Sequence, residues 1–226
     1  MGLGEYAGAA AQVAEALRLG AAGADSVGYA LVLAAADWRR CGMTRPVPVA
    51  MLAPLAEPHL DQRRRAKLSD KDAFSAGMAW ATRDVNPNVS LLQPAGSDSY
   101  VLYDYALDLI SQRGSRIPDA SWAVVMTNAD TSELIDIGYT AEVTYHHTEA
   151  AIGAFREAAS SGHADQAPAA ARNLGVLLEG QGDVEGAKAA YQRAIDSGHA
   201  DQARRAAVNL EVLQNEQGYV DGAEAT

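Results

Sequence analysis

The heptapeptide SGHADQA occupies residues 161–167 and returns at 197–203, 36 residues later. A fixed internal period of this size marks a chain built from stacked supersecondary units, each with an apolar face that only a neighbour can bury. Laid over one another, 155–190 and 191–226 are identical at 20 of 36 positions. Alanine-rich helices resemble each other by composition, but composition does not produce an unbroken heptapeptide in register.

The repeated positions describe a helix–turn–helix unit. Leu174, Leu177 and Leu178 form the inner stripe of its first helix, and Gly182 with Asp183 makes the turn and caps the second. Ala187 is small where the helices cross, and Tyr191, Ala194 and Ile195 close the far end. The duplicated heptapeptide is then the inter-repeat link: Ser161 and Gly162 end one hairpin, and Asp165 is expected to cap the next. From Thr131 onward the chain reads as such hairpins: TSELIDIGYTAEVTYHH as one helix, TEAAIGAFREAASSG as its partner, then two repeats. The last repeat is expected to turn at Gly218 and stop after a short stub, YVDGAEAT.

Upstream, 5–19 reads as an amphipathic helix with Ala10, Val13 and Leu17 on one face. An apolar helix follows over 27–42, with Asp25 or Ser26 as its cap and Gly42 as its stop. Prolines limit the next helix to 49–55. A basic turn precedes a helix over 70–84 carrying Phe74, Met78 and Ala81, capped by Ser69 or Asp70. NVSLLQPAGSDSYVLYDY changes period and predicts a β-hairpin near 89–103 around PAGSD. Two short helices, YALDLISQRG and IPDASWAVVMTNA, complete this part. The expected organisation is mainly α: an N-terminal helix (1–26), a helical winged-helix-like domain with one hairpin (27–115), and helical repeats (116–226).

Leu174, Gly175, Leu178, Gly182, Ala187, Tyr191 and Ala194 resemble the tetratricopeptide repeat, with the spacing lengthened by two residues to 36. The second copy keeps Leu210, Gly218 and Ala223 but has Glu211 and Gln214 where the pattern prefers glycine and a large apolar residue. Gly138, Ala151, Phe155 and Ala158 resemble a degenerate earlier copy, shifted by one residue in its first helix. The segments WRRCGMTRPVP, FSAGMAWATRDVNPNVSLL and DSYVLYDYALDLI are similar to the region that follows the nucleotide-binding module in actinobacterial STAND-type NTPases with tetratricopeptide tails. That resemblance implies a TPR-like α–α superhelix behind a winged-helix-like spacer. No GxxxxGK[ST] phosphate loop occurs in the sequence, so no nucleotide site carries over.

Candidate sites for chemistry are few. His146–His147 with Glu142 and Glu149 offers metal-ligating residue types, but adjacent histidines point apart on a helix and no third ligand is spaced to match. No GxSxG elbow precedes a helix, and pairs such as Asp104/Asp108 or Asp70/Asp72 suit solvated helix faces. Cys41 is the single cysteine, so it forms no intramolecular disulfide and reads as a small buried residue. The expectation is a non-enzyme with no catalytic residue, metal or cofactor.

The net charge of −11 argues against extensive nucleic-acid binding. Arg63, Arg64, Arg65 and Lys67 form the one basic cluster, and the helix before the hairpin mixes Lys71 and Arg83 with Asp70, Asp72 and Asp84. A DNA-binding regulator acting through the hairpin domain is the alternative reading. The N-terminus has no basic signal region and no apolar run is long enough to span a bilayer, so the expected location is cytoplasmic, without membrane.

What remains is binding by the repeats. Register from Leu174 places Arg172, Asn173, Val176 and Glu179 on a concave groove. Register from Leu210 adds Arg205, Val208, Asn209, Val212 and Glu216. The asparagines and arginines resemble the clamp by which some tetratricopeptide domains hold a peptide's C-terminal carboxylate. The expected function is a protein- or peptide-binding scaffold in the sensor or regulatory tail of a STAND-type signalling system. Self-association through 205–226 is expected as well, because a truncated second helix would leave Leu210, Val212 and Leu213 partly uncovered.

Overall fold

The structure is a computed structural model. It describes the backbone of residues 3–23 and 25–224, and the side chains of 8–23 and 25–217. Glu5 and Ala223 therefore lie outside the described side chains. The chain divides into two compact units, 1–127 and 128–226, and is mainly helical.

The first unit begins with α1 (Leu3–Ala21), which buries Ala9, Val13 and Leu17, with Ala10 only half-buried. α2 (Ser26–Arg40) starts where the Asp25 carboxylate accepts the Gly28 N–H at 2.7 Å, and Gly42 follows it at φ +107°. β1 (Val47–Pro48) leads into α3 (Val49–Ala56), a 3-10 turn (Glu57–His59) and α4 (Gln62–Arg65). α5 (Lys71–Thr82) is capped by Asp70, whose side chain accepts from Asp72 and Ala73.

Strands β2 (Asp84–Asn86), β3 (Val89–Ser90), β4 (Leu92–Pro94) and β5 (Ser99–Leu102) follow, then α6 (Asp104–Gln112) and α7 (Asp119–Thr127). β4 and β5 form the expected hairpin about PAGSD, with Leu92 opposite Leu102. β1 adds to it, giving an antiparallel order β1-β5-β4. β2 and β3 make a second hairpin, turning at Asn88 with φ +62°.

α2 and α5 cross closely because glycine faces glycine: a Cβ on Gly77 would stand 2.7 Å from Val27 Cγ1, and one on Gly28 would stand 2.6 Å from the Trp80 ring. Beneath the far end of α2 lies a buried carboxylate. Asp37 Oδ2 accepts from Ser121 Oγ at 2.9 Å and is 2.8 Å from His59 Nε2, while Arg40 Nη1 reaches Oδ1 at 3.3 Å. Arg40 also donates to the Ser115 carbonyl. This carboxylate and the buried Trp122 hold α7 in the first unit, so the division falls after Thr127 and not at 116.

The second unit contains α8 (Thr131–Tyr139), a π-helical segment (Thr140–Thr144), α9 (Thr148–Ser160), α10 (Gln166–Gly180), α11 (Val184–Asp196) and α12 (Ala200–Glu224). Consecutive helices pack as hairpins, and α10 also packs on α8 and α12, so the first helices of successive hairpins stack. The helix expected through His147 ends earlier. His146 takes φ +50°, and His147 Nδ1 accepts the Ala150 N–H at 3.3 Å to start α9.

In both copies of SGHADQA the serine and histidine make the same bonds. Gly162 and Gly198 turn at φ +74° and +78°, and Ser161 and Ser197 accept from the N–H of His163 and His199 at 3.2 Å. His163 and His199 Nδ1 then face the N–H of Gln166 and Gln202 at 3.4 Å. Asp165 makes no side-chain cap, so the histidine fills the role expected of it.

The last repeat differs from expectation. α12 runs through Gly218 without a turn, so there is no truncated second helix. In the earlier copy Gly182 turns at φ +78° and the Asp183 carboxylate accepts the Gly186 N–H at 2.9 Å, nucleating α11. The aligned residue after Gly218 is Tyr219, which has no carboxylate to offer, and the helix continues. Residues 225–226 lie outside the described residues.

Candidate functional site

The packing of α8 on α9 and of α10 on α11 depends on two glycines. A Cβ on Gly138 would lie 2.7 Å from the Phe155 ring, and one on Gly175 would lie 2.4 Å from the Tyr191 ring. In each hairpin an aromatic ring of the second helix fills the notch that the glycine leaves on the first. This draws each hairpin together and turns the residue after the glycine outward.

That residue is Tyr139 on α8 and Val176 on α10, and Val212 holds the same register on α12. All three stay exposed, at 47%, 44% and 47% of their surface, and Val143 (69%) and Val208 (56%) are more so. They make an apolar row across the faces of three helices. Single exposed apolar residues need no explanation, but a row in repeat register does.

Four residues assigned to the groove by register, Val176, Glu179, Asn209 and Val212, line one cavity of about 430 Å³ with Gly180 and Tyr191. Tyr191 was expected only to close the hairpin, yet its hydroxyl donates to Glu179 Oε2 at 2.5 Å in this cavity. Burial, and then the Glu179 carboxylate, push the Tyr191 hydroxyl well above the usual tyrosine range, while Asn209 and Arg172 act the other way.

The remaining predicted residues are not gathered as a clamp. Asn173 is only 8% exposed, and its Nδ2 donates to the Tyr139 hydroxyl at 2.7 Å. Arg172 Nη2 donates to Asn173 Oδ1 at 2.7 Å. Arg205 pairs with Asp201 at 3.1 Å, and Glu216 is exposed one turn beyond Val212. Leu213 is buried and Leu210 half-buried, contrary to the uncovered stripe expected there, whereas Val212 is exposed as expected.

Register reasoning from two repeats missed Tyr139 and Glu142. The signal was present: Tyr139 follows Gly138 as Val176 follows Gly175, and Glu142 and Glu179 each stand three residues further on. Glu142 Oε2 and Arg172 Nε are shielded from solvent with no hydrogen-bond partner among the described residues.

The charge of the chain is concentrated here. Residues 128–226 hold 6 Lys and Arg against 16 Asp and Glu, a net −10 out of the chain's −11.

Elsewhere, Arg63, Arg64, Arg65 and Lys67 are exposed on and after α4, where Arg64 lies 3.6 Å from Asp61 and Arg65 lies 3.8 Å from Glu57. The exposed face of α5 carries Lys71, Asp72, Ser75, Ala76 and Ala79. Cys41 is buried, and desolvation raises its thiol pKa. Among the described residues no three His, Cys, Asp or Glu side chains are grouped to hold a metal, and no single helix is long and apolar enough to cross a membrane. Comparison with family models, with curated proteins and with solved structures finds no match to this chain.

Proposed function

We propose that the chain is a non-catalytic interaction module whose second unit is a TPR-like superhelix binding a protein or peptide across α8, α10 and α12. The observation that carries this reading is the exposed row Tyr139, Val176 and Val212, in repeat register and beside a cavity. An apolar face left open on every repeat is what a solenoid uses to bind an extended or helical ligand.

The first unit, in this reading, is a winged-helix-like spacer. It is supported by the order α2, β1, α3, α5, then a hairpin whose strands pair as β1-β5-β4. A sensor or regulatory role in a STAND-type signalling system follows from the sequence resemblance alone. The rival, a DNA-binding regulator, has the exposed arginines of α4 in its favour. The exposed face of α5 opposes it, because Lys71 is offset by Asp72 and Ala76 and Ala79 offer no donor, whereas a major-groove reader needs donors aimed at base edges.

A display selection of random peptides against the full chain tests the groove. Binders are expected, and Val176→Asn with Val212→Asn should abolish their binding. Binders indifferent to both substitutions, or no binders at all, would refute a peptide groove.

A further inference from the structure

We infer that the groove takes a cationic amphipathic peptide segment, with its apolar side chains on the Tyr139–Val176–Val212 row and its lysines or arginines against the carboxylates just beyond. This rests on the groove reading above and names the class of its occupant.

The apolar row fixes the shape of the occupant. Neighbouring packed helices lie about 8–10 Å apart, so three row positions span roughly 20 Å. An amphipathic helix of three to four turns, or about six extended residues, covers that distance.

Charge fixes the sign. Glu142 and Glu179 stand three residues past Tyr139 and Val176, and Glu216 stands four past Val212, so each row residue has a carboxylate three or four residues further along, Glu142 in the π-helical segment that continues α8. Glu179 lies in the last turn of α10, where the helix dipole already favours a cation.

The cations of the unit are largely committed elsewhere. Arg204 and Arg205 share Asp201, Lys188 pairs with Glu185, and Arg193 reaches Ser160 Oγ at 3.3 Å. Arg172 Nη2 donates to Asn173 Oδ1, and the Glu179 carboxylate accepts from the Tyr191 hydroxyl. Glu142 and Glu216 have no ion pair among the described residues, and Glu142 Oε2 is shielded without a donor. A desolvated carboxylate oxygen lacking a donor is costly, and an incoming ammonium or guanidinium supplies one.

An anionic ligand fares worse. Asn173, the donor a terminal carboxylate would use, is buried and bonded to Tyr139 and Arg172. A ligand of negative charge would also meet the field of a unit carrying net −10.

The test is fluorescence anisotropy on the full chain with a labelled, C-terminally amidated peptide of about 18 residues, leucine at i, i+3, i+4 spacing and lysine elsewhere. Saturable, salt-sensitive binding is expected. It should weaken at least about tenfold in Val176→Asn/Val212→Asn and several-fold in Glu142→Gln/Glu216→Gln. The control Glu149→Gln/Glu157→Gln, which removes the same charge from exposed positions on α9, should leave affinity unchanged.

Equal loss in the control pair would reduce the binding to bulk charge attraction and overturn the inference. Preference for the glutamate-for-lysine counterpart, or for a neutral peptide with a free C-terminal carboxylate, would keep the groove but overturn the class. A dimer by sedimentation that dissociates on Val176→Asn would make a second copy the occupant instead. Failure of every peptide, with the selected binders also absent, would sink the groove itself.

Discussion

Gly175→Ala is the sharpest probe of how the second unit is assembled. The added methyl would stand 2.4 and 2.5 Å from two carbons of the Tyr191 ring. Ordinary carbon contacts lie near 3.5–4.0 Å, so the ring must retreat by roughly 1 Å. The ring is fully buried and held at its hydroxyl by Glu179, so moving it disturbs that bond. Overpacking of this kind costs about 1–3 kcal/mol, while replacing glycine within a helix returns about 0.5–1 kcal/mol. The net expected destabilisation is about 0.5–2 kcal/mol.

Gly180→Ala in the same helix is the matched control, since its added Cβ meets nothing within 4 Å. It should be neutral or stabilising by up to about 1 kcal/mol. For a unit of about 100 residues each kcal/mol moves the melting temperature by about 4–8 °C.

The readout separates the units without cutting the chain. All three tryptophans, Trp38, Trp80 and Trp122, lie in 1–127, so their emission follows the first unit while far-ultraviolet circular dichroism follows both. Gly175→Ala should lower the dichroism transition and leave the tryptophan transition in place. A Gly175→Ala chain as stable as Gly180→Ala would refute the close approach of α10 and Tyr191.

Two further outcomes are expected. The Tyr191 hydroxyl is raised above its unfolded value of about 10, so its contribution is fully present below pH 10 and is lost as pH rises beyond it. Urea titrations at pH 8 and about pH 11 should therefore show a larger alkaline loss for the native chain than for Tyr191→Phe; equal losses would remove Tyr191 from the cause. Asp37→Ala strands Arg40 and His59 beside a buried site, so it should destabilise the first unit by about 3–5 kcal/mol and speed the reaction of Cys41 with a thiol reagent. Unchanged Cys41 labelling in native buffer would show that the carboxylate is dispensable.

Helices were legible where a local signal exists for each end. Asp25, Asp70 and Asp183 cap as their sequence contexts suggest, because capping is decided within three residues. The β4–β5 hairpin was legible for the same reason. β1 was not, since Val47 and Pro48 become a strand only by pairing with Tyr100 and Ser99 of β5, 53 and 51 residues away by the Val47–Tyr100 and Pro48–Ser99 separations. Asp37 looked like an ordinary polar residue late in a helix, and only α7 and the turn at His59 bury it. The unbroken α12 was legible after the fact, since losing a carboxylate at one aligned position removes the reason to turn. In the second unit, register brought together Val176, Glu179, Asn209 and Val212, which line one cavity. It did not find that Asn173 is spent on Tyr139, because that bond joins helices 34 residues apart.

The two SGHADQA links give the molecule an internal reference. Their letters are the same and their serine and histidine hydrogen bonds are the same, so intrinsic effects of those residues largely cancel when one is subtracted from the other. Their surroundings differ. The first borders a cavity of about 590 Å³ lined in part by Gln192, Arg193 and Asp196 of α11, and the second leads into α12, which has no following hairpin partner among the described residues. Any difference in chemical shift between His163 and His199 thus measures what a neighbouring hairpin does to a link, isolated from what the link does to itself.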